Sequence, residues 1–314
     1  MDQISSQADA LRYAIQSESS DFIINSIDVE WHTKMPREMI EIGLAVLDSR
    51  DIRGIEPGWN AENWMRKVYF YHFRIKEHGH LPNTFAHSEG FDWGTMVWLS
   101  KAEAKKALIQ CFSWPVEDNE STDLSDGKEL KLRPVLFLGH AVENNTAELK
   151  KALDLDLEAI GTIVKSVGTQ VIAKLKGIRP RGRRVIGLKD LCYEHGISIQ
   201  VLHNAGNDIA YTMFCALLMA AQEDKIFITP ARRQEMEKFT DEVKAAGRAL
   251  DPPSWGMTKF CARYNRDGHL EKGCRDRVRC KKCEAAGERK AKIFSHDTDR
   301  CKSQYYQRLI PQEN

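Results

Sequence analysis

The sequence contains no apolar stretch long enough to span a bilayer, which excludes a helical membrane protein. Its first 25 residues also lack the basic-then-apolar order of a secretory leader, so the expected compartment is the cytoplasm or the nucleus, with no membrane partner. No internal repeat runs through the body, which therefore reads as one large domain rather than an array. Cysteine is sparse over the first 250 residues, where only Cys111, Cys192 and Cys215 occur. The remaining Cys261, Cys274, Cys280, Cys283 and Cys301 crowd together near the end. In an intracellular chain such a crowd, interleaved with histidine, reads as metal ligands and not as disulfides.

Net charge is also nearly absent, at +1, but this conceals an asymmetry. From Pro252 onward there are 15 Lys and Arg against 8 Asp and Glu, whereas residues 1–251 carry 31 against 37. A basic tail on an acidic body suits an anionic partner for the tail, or simply a solvated charged surface. With 42% hydrophobic and 29% charged residues, the 314-residue chain is an ordinary soluble globular type that can bury a sizeable core.

Apolar runs at Phe22–Val29, Met39–Leu47 and Tyr69–Ile75 predict three strands of an antiparallel meander. Residues 76–98, rich in His, Gly and aromatics, are expected to form an irregular loop or lid. Ser100, with Glu103 three positions on, predicts a capping box that opens a helix to Phe112. Residues 114–131 are acidic and polar, and suit a surface excursion. Pro134–Leu138 predicts a buried strand ending at Gly139-His140, followed by a helix with Leu149, Ala152 and Leu153 on one face. Gly161–Lys174 is expected to contain a β-rich segment. Leu188–His195 predicts a helix stopped by Gly196, Ile209–Gln222 a buried helix, and Thr229–Ala249 a charged one. Strands first and then alternating strands and helices suit a mixed-sheet α/β domain. The expected division is an N-terminal extension over 1–20, the domain over 21–225, a linker helix over 226–251 and a Cys/His module over 252–314.

Three stretches carry chemistry. Asp28 and Glu30, two apart on a strand, share one face. Two adjacent carboxylates repel unless a cation neutralises them, and hard oxygen donors suit Mg²⁺ or Mn²⁺. Asp208 adds a third carboxylate at a helix start, and His203, five residues earlier, is a candidate base that could take the proton from water. Taken singly, each has a plainer use: the wet face of an edge strand for Asp28 and Glu30, a helix cap for Asp208, a loop for His203.

Together these residues resemble the DEDDh 3′–5′ exonucleases of the ribonuclease H-like superfamily. Asp28-Val29-Glu30 and the following Met39-Ile40-Glu41-Ile42-Gly43 are similar to that family's opening strands, and Gly139-His140 to its second motif. His203-Asn204-Ala205-Gly206-Asn207-Asp208 is similar to its third. More narrowly, Leu202–Thr212 is similar to fungal proteins of this fold with a C-terminal Cys/His-rich extension. The resemblance implies a ribonuclease H-like mixed sheet flanked by helices and two divalent metals, Mg²⁺ or Mn²⁺. It implies Asp28, Glu30 and Asp208 as metal ligands, His203 as general base and release of nucleoside 5′-monophosphates. The family's second motif ends in an aspartate five residues after its histidine. Here that position is Asn145, a neutral and weaker metal ligand, and Glu143 or Glu148 are nearby carboxylates that would compensate. Arg179, Arg181, Arg183 and Arg184 form a basic loop suited to a nucleic-acid backbone, or to solvent.

In the tail, Cys280, Cys283, His296 and Cys301 have the spacing C-x₂-C-x₁₂-H-x₄-C, a full donor set for a closed tetrahedral zinc site. Just ahead, Cys261, His269 and Cys274 fit zinc-knuckle spacing, with Tyr264 where the second cysteine would stand. That second site is expected to lack metal, to take water as fourth ligand, or to borrow a neighbour's cysteine. Tyr264, Arg263, Arg266, Arg275, Arg277 and Arg279 suit stacking on and gripping single-stranded nucleic acid, RNA in preference to DNA. The sequence thus predicts a two-metal 3′–5′ exonuclease with a zinc-stapled tail. The alternatives are a catalytically weak or inactive nucleic-acid-binding protein on the same fold, and a scaffold whose tail docks a protein partner.

Overall fold

In a computed structural model, residues 6–17, 19, 21–83, 90–117, 130–180, 182, 185–221 and 228–305 are described. The chain opens with helix α1 (Gln7–Gln16), capped by the Ser6 hydroxyl, which accepts from the Asp9 N–H. Strands β1 (Ile23–Trp31), β2 (Met39–Asp48) and β3 (Tyr69–Ile75) follow, with the single-turn α2 (Glu62–Met65) before β3. β1 with β2 and β2 with β3 pair antiparallel, as the apolar runs require.

Of residues 76–98, expected as an irregular loop or lid, 84–89 lie outside the described residues and the rest are packed. They supply a fourth strand, β4 (Met96–Leu99), parallel to β3, and Trp93, which is buried against Tyr211. The strand is only four residues long and offers too short a pattern to be legible. Helix α3 (Lys101–Cys111) carries the expected capping box of Ser100 and Glu103. Strand β5 (Val135–Gly139) and helix α4 (Val142–Leu153) come next. Residues 161–174 contain the expected β segment, β6 (Ile163–Gly168), which leads directly into a helix, α5 (Thr169–Leu175). β-branched residues at 169, 171 and 172 do not prolong the strand, because burial of Ile172 and Ala173 against the core outweighs their propensity. Most of the acidic 114–131 excursion lies outside the described residues.

The six strands form one mixed sheet in the order β4-β3-β2-β1-β5-β6, with β1, β5 and β6 parallel. Strand alternation divides two apolar layers. Ile23, Ile27 and Val29 face a core shared with α3 and α4, while Ile24, Ala45, Leu136 and Leu138 face α1, α5 and α7. Helix α6 (Leu188–Glu194) ends at Gly196, whose φ of +76° suits a glycine stop. Helix α7 (Ala205–Ala221) is buried on nearly every side, as its all-round apolarity demands. It begins four residues earlier than the apolar run suggests, because Asn204 caps it by accepting from the Asn207 N–H.

The two flanking helices are not loosely attached. α1 buries Ala10, Leu11, Ala14 and Ile15 in the main core. Helix α8 (Pro230–Ala249) inserts Met236, Phe239 and Val243, with Phe239 edge-on to Phe214. Nor does the tail hang from the Pro252-Pro253 break. Met257 pairs with Trp98 of β4 through both backbone N–H groups, and Trp255 packs on Tyr71 and Phe73. Phe260 lies on Trp98 with ring centroids 4.9 Å apart. The tail itself comprises the hairpin β7 (Phe260–Cys261) and β8 (Arg266–Asp267), then short helices α9 (Lys281–Ala285) and α10 (Lys290–Ile293). Arg300 anchors it by donating to the carbonyls of Lys76 and Glu77.

The start of α7 rests on β2 at Gly43, where an added Cβ would stand 1.9 Å from the Ala205 carbonyl oxygen. Only glycine permits that approach. Gly43→Ala is expected to lower unfolding free energy by about 3 kcal/mol in urea melts, since backbone must move on one side. A loss under about 0.5 kcal/mol would exclude the close approach.

Candidate functional site

The crevice follows from strand pairing. β1 pairs with β5 only from Ile23 to Ser26, so beyond Ser26 the two parallel strands part at their carboxyl ends. Openings of this kind are where α/β sheets hold ligands. Asp28 and Glu30 lie on this freed part of β1, on the same face as Ile24, and so point toward α7. The carbonyl of Ile27, left without a β5 partner, accepts from Asn145 Nδ2 at 2.7 Å.

Asp208 stands in the first turn of α7, and its Oδ2 accepts from the His203 backbone N–H at 3.2 Å. His203 is exposed and has a φ of +63°, a left-handed conformation that costs a non-glycine residue about 1–3 kcal/mol. Ligand atoms of Glu30, His203 and Asp208 all lie within 4.8 Å of one another.

Charge makes the cluster unusual. Burial raises the Asp28 carboxyl to about 7, against hydrogen bonds from Asn145 and the Val29 N–H. Burial, helped by the Asp28 and Glu41 charges, raises Glu30 to about 8. Burial and the charges of Asp28 and Glu30 push Asp208 well above the usual carboxylate range. Three groups that each resist ionisation, closely placed at a strand end, are an arrangement that a cation relieves. Asp208 Oδ1 is also buried with no hydrogen bond among the described residues. An orphaned carboxylate oxygen facing two other carboxylates fits a hard divalent metal.

A fourth carboxylate, Glu41, has no individual role assigned by sequence reasoning, and it organises the surroundings. It is fully buried on β2 opposite Glu30. It accepts from His72 Nε2 at 3.0 Å, from Arg74 Nη1 at 3.4 Å and from the Ala205 N–H at 3.4 Å. Asn83 Nδ2 bridges its Oε1 to the His203 carbonyl. Glu41 thus ties β3, the 83 turn and the start of α7 to one point. Asn207 adds a second tie, accepting from the Asp92 N–H and donating to Gly90. The alternation of β2 put Glu41 on a buried face, and that was the available signal.

Residues 23–219, well over half the chain, match the family model described as DNA polymerase III subunit epsilon-like, C-terminal domain, DEDDh. The chain belongs to the DEDDh 3′–5′ exonuclease family. No curated protein matches it. Among solved structures, one of exonuclease I is similar at 13% identity and a TM-score of 0.41, covering 68% of this chain and 42% of that one. E. coli exonuclease I in complex with a dA16 oligonucleotide is similar at 12% identity and a TM-score of 0.37, covering 64% and 41%. The chain therefore spans about two fifths of those proteins, and the likeness adds no argument beyond the family match.

Against the DEDDh pattern, the departure is at Asn145. Its Nδ2 donates to Ile27 and faces Asp28 Oδ1 at 3.5 Å, so it offers a carboxylate a donor where the family offers a metal an oxygen. The freed Ile27 carbonyl takes the Asn145 amide nitrogen, which leaves the amide oxygen as the atom that would reach a metal. Glu148 is not among the described groups that close on the cluster, and the Glu143 side chain lies outside the described residues. His140 of the second motif turns away, with Nδ1 on the Thr169 hydroxyl at 2.8 Å, and burial lowers it to about 4.

Of the basic loop, Arg179 is exposed, while Arg181, Arg183 and Arg184 lie outside the described residues. In the tail, ligand atoms of Cys280, Cys283, His296 and Cys301 fall within 4.8 Å of one another. Cys283 Sγ is 3.7 Å from both Cys301 Sγ and His296 Nε2. Tetrahedral zinc with bonds of about 2.3 Å to sulfur sets sulfur atoms about 3.8 Å apart. The Ser295 hydroxyl at 2.7 Å from His296 Nδ1 leaves Nε2 to the cluster, as an outer-shell partner does. Arg263 and Arg279, expected to grip nucleic acid, are engaged internally: Arg263 donates to the Ser295 and Phe294 carbonyls, and Arg279 pairs with Glu284. Arg266, Arg275 and Arg277 stay exposed.

Two outcomes follow. Glu41→Ala leaves His72 and Arg74 buried without their carboxylate and is expected to cost about 3–5 kcal/mol in denaturant unfolding. A cost below about 1 kcal/mol would remove Glu41 from its organising place. Secondly, Asp28 and Glu30 hold protons in the folded state that the unfolded chain releases near its ordinary values of 3.8 and 4.5. Metal-free protein should therefore lose stability as pH rises through the interval up to about 7 and 8. Mn²⁺ should reverse the loss, raising Tm more at the alkaline end than at the acid end. A metal-free Tm that climbs over this interval would contradict the buried cluster.

Proposed function

We propose that this protein is a metal-dependent 3′–5′ exonuclease of single-stranded nucleic acid, RNA in preference to DNA. The observation that carries this reading is the cluster of Glu30, His203 and Asp208 with its orphaned Asp208 oxygen, beside the buried Asp28. Asp28, Glu30 and Asp208 would hold Mg²⁺ or Mn²⁺. When bound, such metals ease deprotonation of water and the build-up of charge on the leaving oxygen.

The chain's own residues do the rest. His203, at the exposed mouth of the site, takes the proton from the attacking water on its imidazole ring. Its left-handed backbone and the Asp208–His203 N–H bond aim the ring from just ahead of α7. Glu41 and Asn83 keep that segment from drifting, since a small misplacement of a base costs much rate. The products are nucleoside 5′-monophosphates. RNA preference is supported by the knuckle-like spacing of the tail, whose exposed arginines suit a single strand. The tail also comes near the site end of β1: the Lys302 charge reaches His32, which follows that strand. A structural zinc on Cys280, Cys283, His296 and Cys301 would hold the tail in shape.

One observation favours a second reading, a slow or inactive nucleic-acid-binding member. Asn145 brings no charge to the position where the family carries its fourth acid.

The test is a labelled RNA and a matched DNA single strand with Mg²⁺ or Mn²⁺. Stepwise 3′ shortening is expected, lost in Asp28→Ala. No shortening, or shortening unchanged in that variant, would defeat the exonuclease reading. Asn145→Asp should raise Mn²⁺ affinity at least ~10-fold by adding a formal charge beside the metal. It should also lower metal-free stability, because the new carboxylate would face Asp28 and the Ile27 carbonyl. A rise in rate with it identifies the missing charge as limiting; binding without turnover in both forms establishes the second reading.

A further inference from the structure

We propose that the tail holds a second zinc ion, on Cys261, His269, Cys274 and Asp276, with Tyr264 orienting the aspartate. This inference is independent of the exonuclease reading. The spacing supplies only three ligands for a closed site, because Tyr264 stands where a zinc knuckle has its second cysteine. Structural zinc takes four.

The fold first brings the three together. β7 and β8 pair Phe260 with Asp267 and Cys261 with Arg266. Asn265, with a φ of +63°, and Gly268, with a φ of +91°, turn the chain tightly enough to return His269 to Cys261. Ligand atoms of Cys261, His269 and Cys274 then lie within 4.8 Å of one another. His269 Nε2 is buried and makes no hydrogen bond among the described residues. A ring nitrogen held in this way beside two thiols is a ligand in waiting.

Asp276 completes the set from two residues beyond Cys274. Its Oδ2 is 4.0 Å from His269 Nε2 and 3.9 Å from Cys274 Sγ. Around zinc, with bonds of about 2.0 Å to oxygen and nitrogen and about 2.3 Å to sulfur, those separations would be about 3.3–3.6 Å. Asp276 stands outside the 4.8 Å group formed by Cys261, His269 and Cys274, so its carboxylate must rotate toward Cys261 to close the site.

Tyr264 explains why the substitution at the second position is tolerated. Its hydroxyl donates to the same Asp276 oxygen, and its ring lies 5.7 Å from that of His269. The tyrosine thus acts on the carboxylate that replaces the missing thiolate, as outer-shell partners of metal ligands do. Charge is conserved as well. Two thiolates, one carboxylate and Zn²⁺ carry the same net −1 as three thiolates and Zn²⁺, and exposed Arg275 and Arg277 flank the aspartate. Tyr264 is therefore a site-building residue in this proposal.

The experiment counts zinc in the full-length protein after dialysis against excess Mg²⁺. Wild type should retain two zinc ions in the tail. Asp276→Ala and Cys283→Ser should each retain one fewer, and the double variant two fewer. Asp276→Cys should restore the count lost in Asp276→Ala, which separates ligation from a folding defect. Tyr264→Phe should keep the full count but release one zinc to a competing chelator at least ~10-fold more readily, in line with losses on removing outer-shell partners. A full count in Asp276→Ala would overturn the proposal. So would a single tail zinc in wild type that disappears in Cys283→Ser.

Discussion

Mutual repulsion of carboxylates in a desolvated crevice is the constraint on which the rest of this structure depends. Asp28 and Glu30 share a strand face, Asp208 is brought over them by a helix, and Glu41 lies directly across from Glu30. Water would screen such a group and disperse its repulsion, but here burial is the main influence on Asp28, Glu30 and Asp208 alike. Such an assembly survives only if the scaffold holds it rigidly and something positive balances it. The scaffold does so through an almost entirely buried helix, a glycine that lets backbone touch backbone, and a carboxylate with its own cationic partners.

Glu41 and its neighbours show how one charge type is used in two ways. Glu41 is satisfied by His72, Arg74, Asn83 and the Ala205 N–H, and is therefore a strut. Asp208 keeps one oxygen without a hydrogen bond among the described residues and is therefore the proposed ligand. The difference lies in the count of donors around each oxygen. At Asn145 the logic is reversed: a donor has entered where the family's chemistry calls for another acid. That exchange lowers the repulsion Asp28 feels and weakens what the site offers a cation.

The tail repeats the theme on a smaller scale. It has few large apolar side chains, and the sulfur cluster of Cys280, Cys283 and Cys301 forms its own small core. Its attachment to the edge strand β4, through Trp98, Met257 and Phe260, covers backbone groups that an exposed edge would leave open. The DEDDh domain and the tail are therefore neighbours in packing and not beads on a flexible string.

Much of this was legible along the chain. Strands β1, β2, β3 and β5, the capping box at Ser100, the glycine stop at Gly196 and the Cys280 zinc spacing all rest on local chemistry, readable over a handful of residues. The pairing of Asp28 with Glu30 and the identity of His203 and Asp208 were legible for the same reason: period-two alternation and short motif spacing are properties of neighbours. The sequence could not determine what depends on distant groups meeting. β4 is too short to leave a pattern, and α1 and α8 declare their burial only through partners far along the chain. The inward turn of the Asn145 amide follows from the parting of β1 from β5. The work of Glu41, Asn83, Tyr264 and Asp276 follows from which atoms face them. Hydrogen bonds and metal geometry act over about 3–4 Å in space, and only the tertiary fold decides which residues come that close.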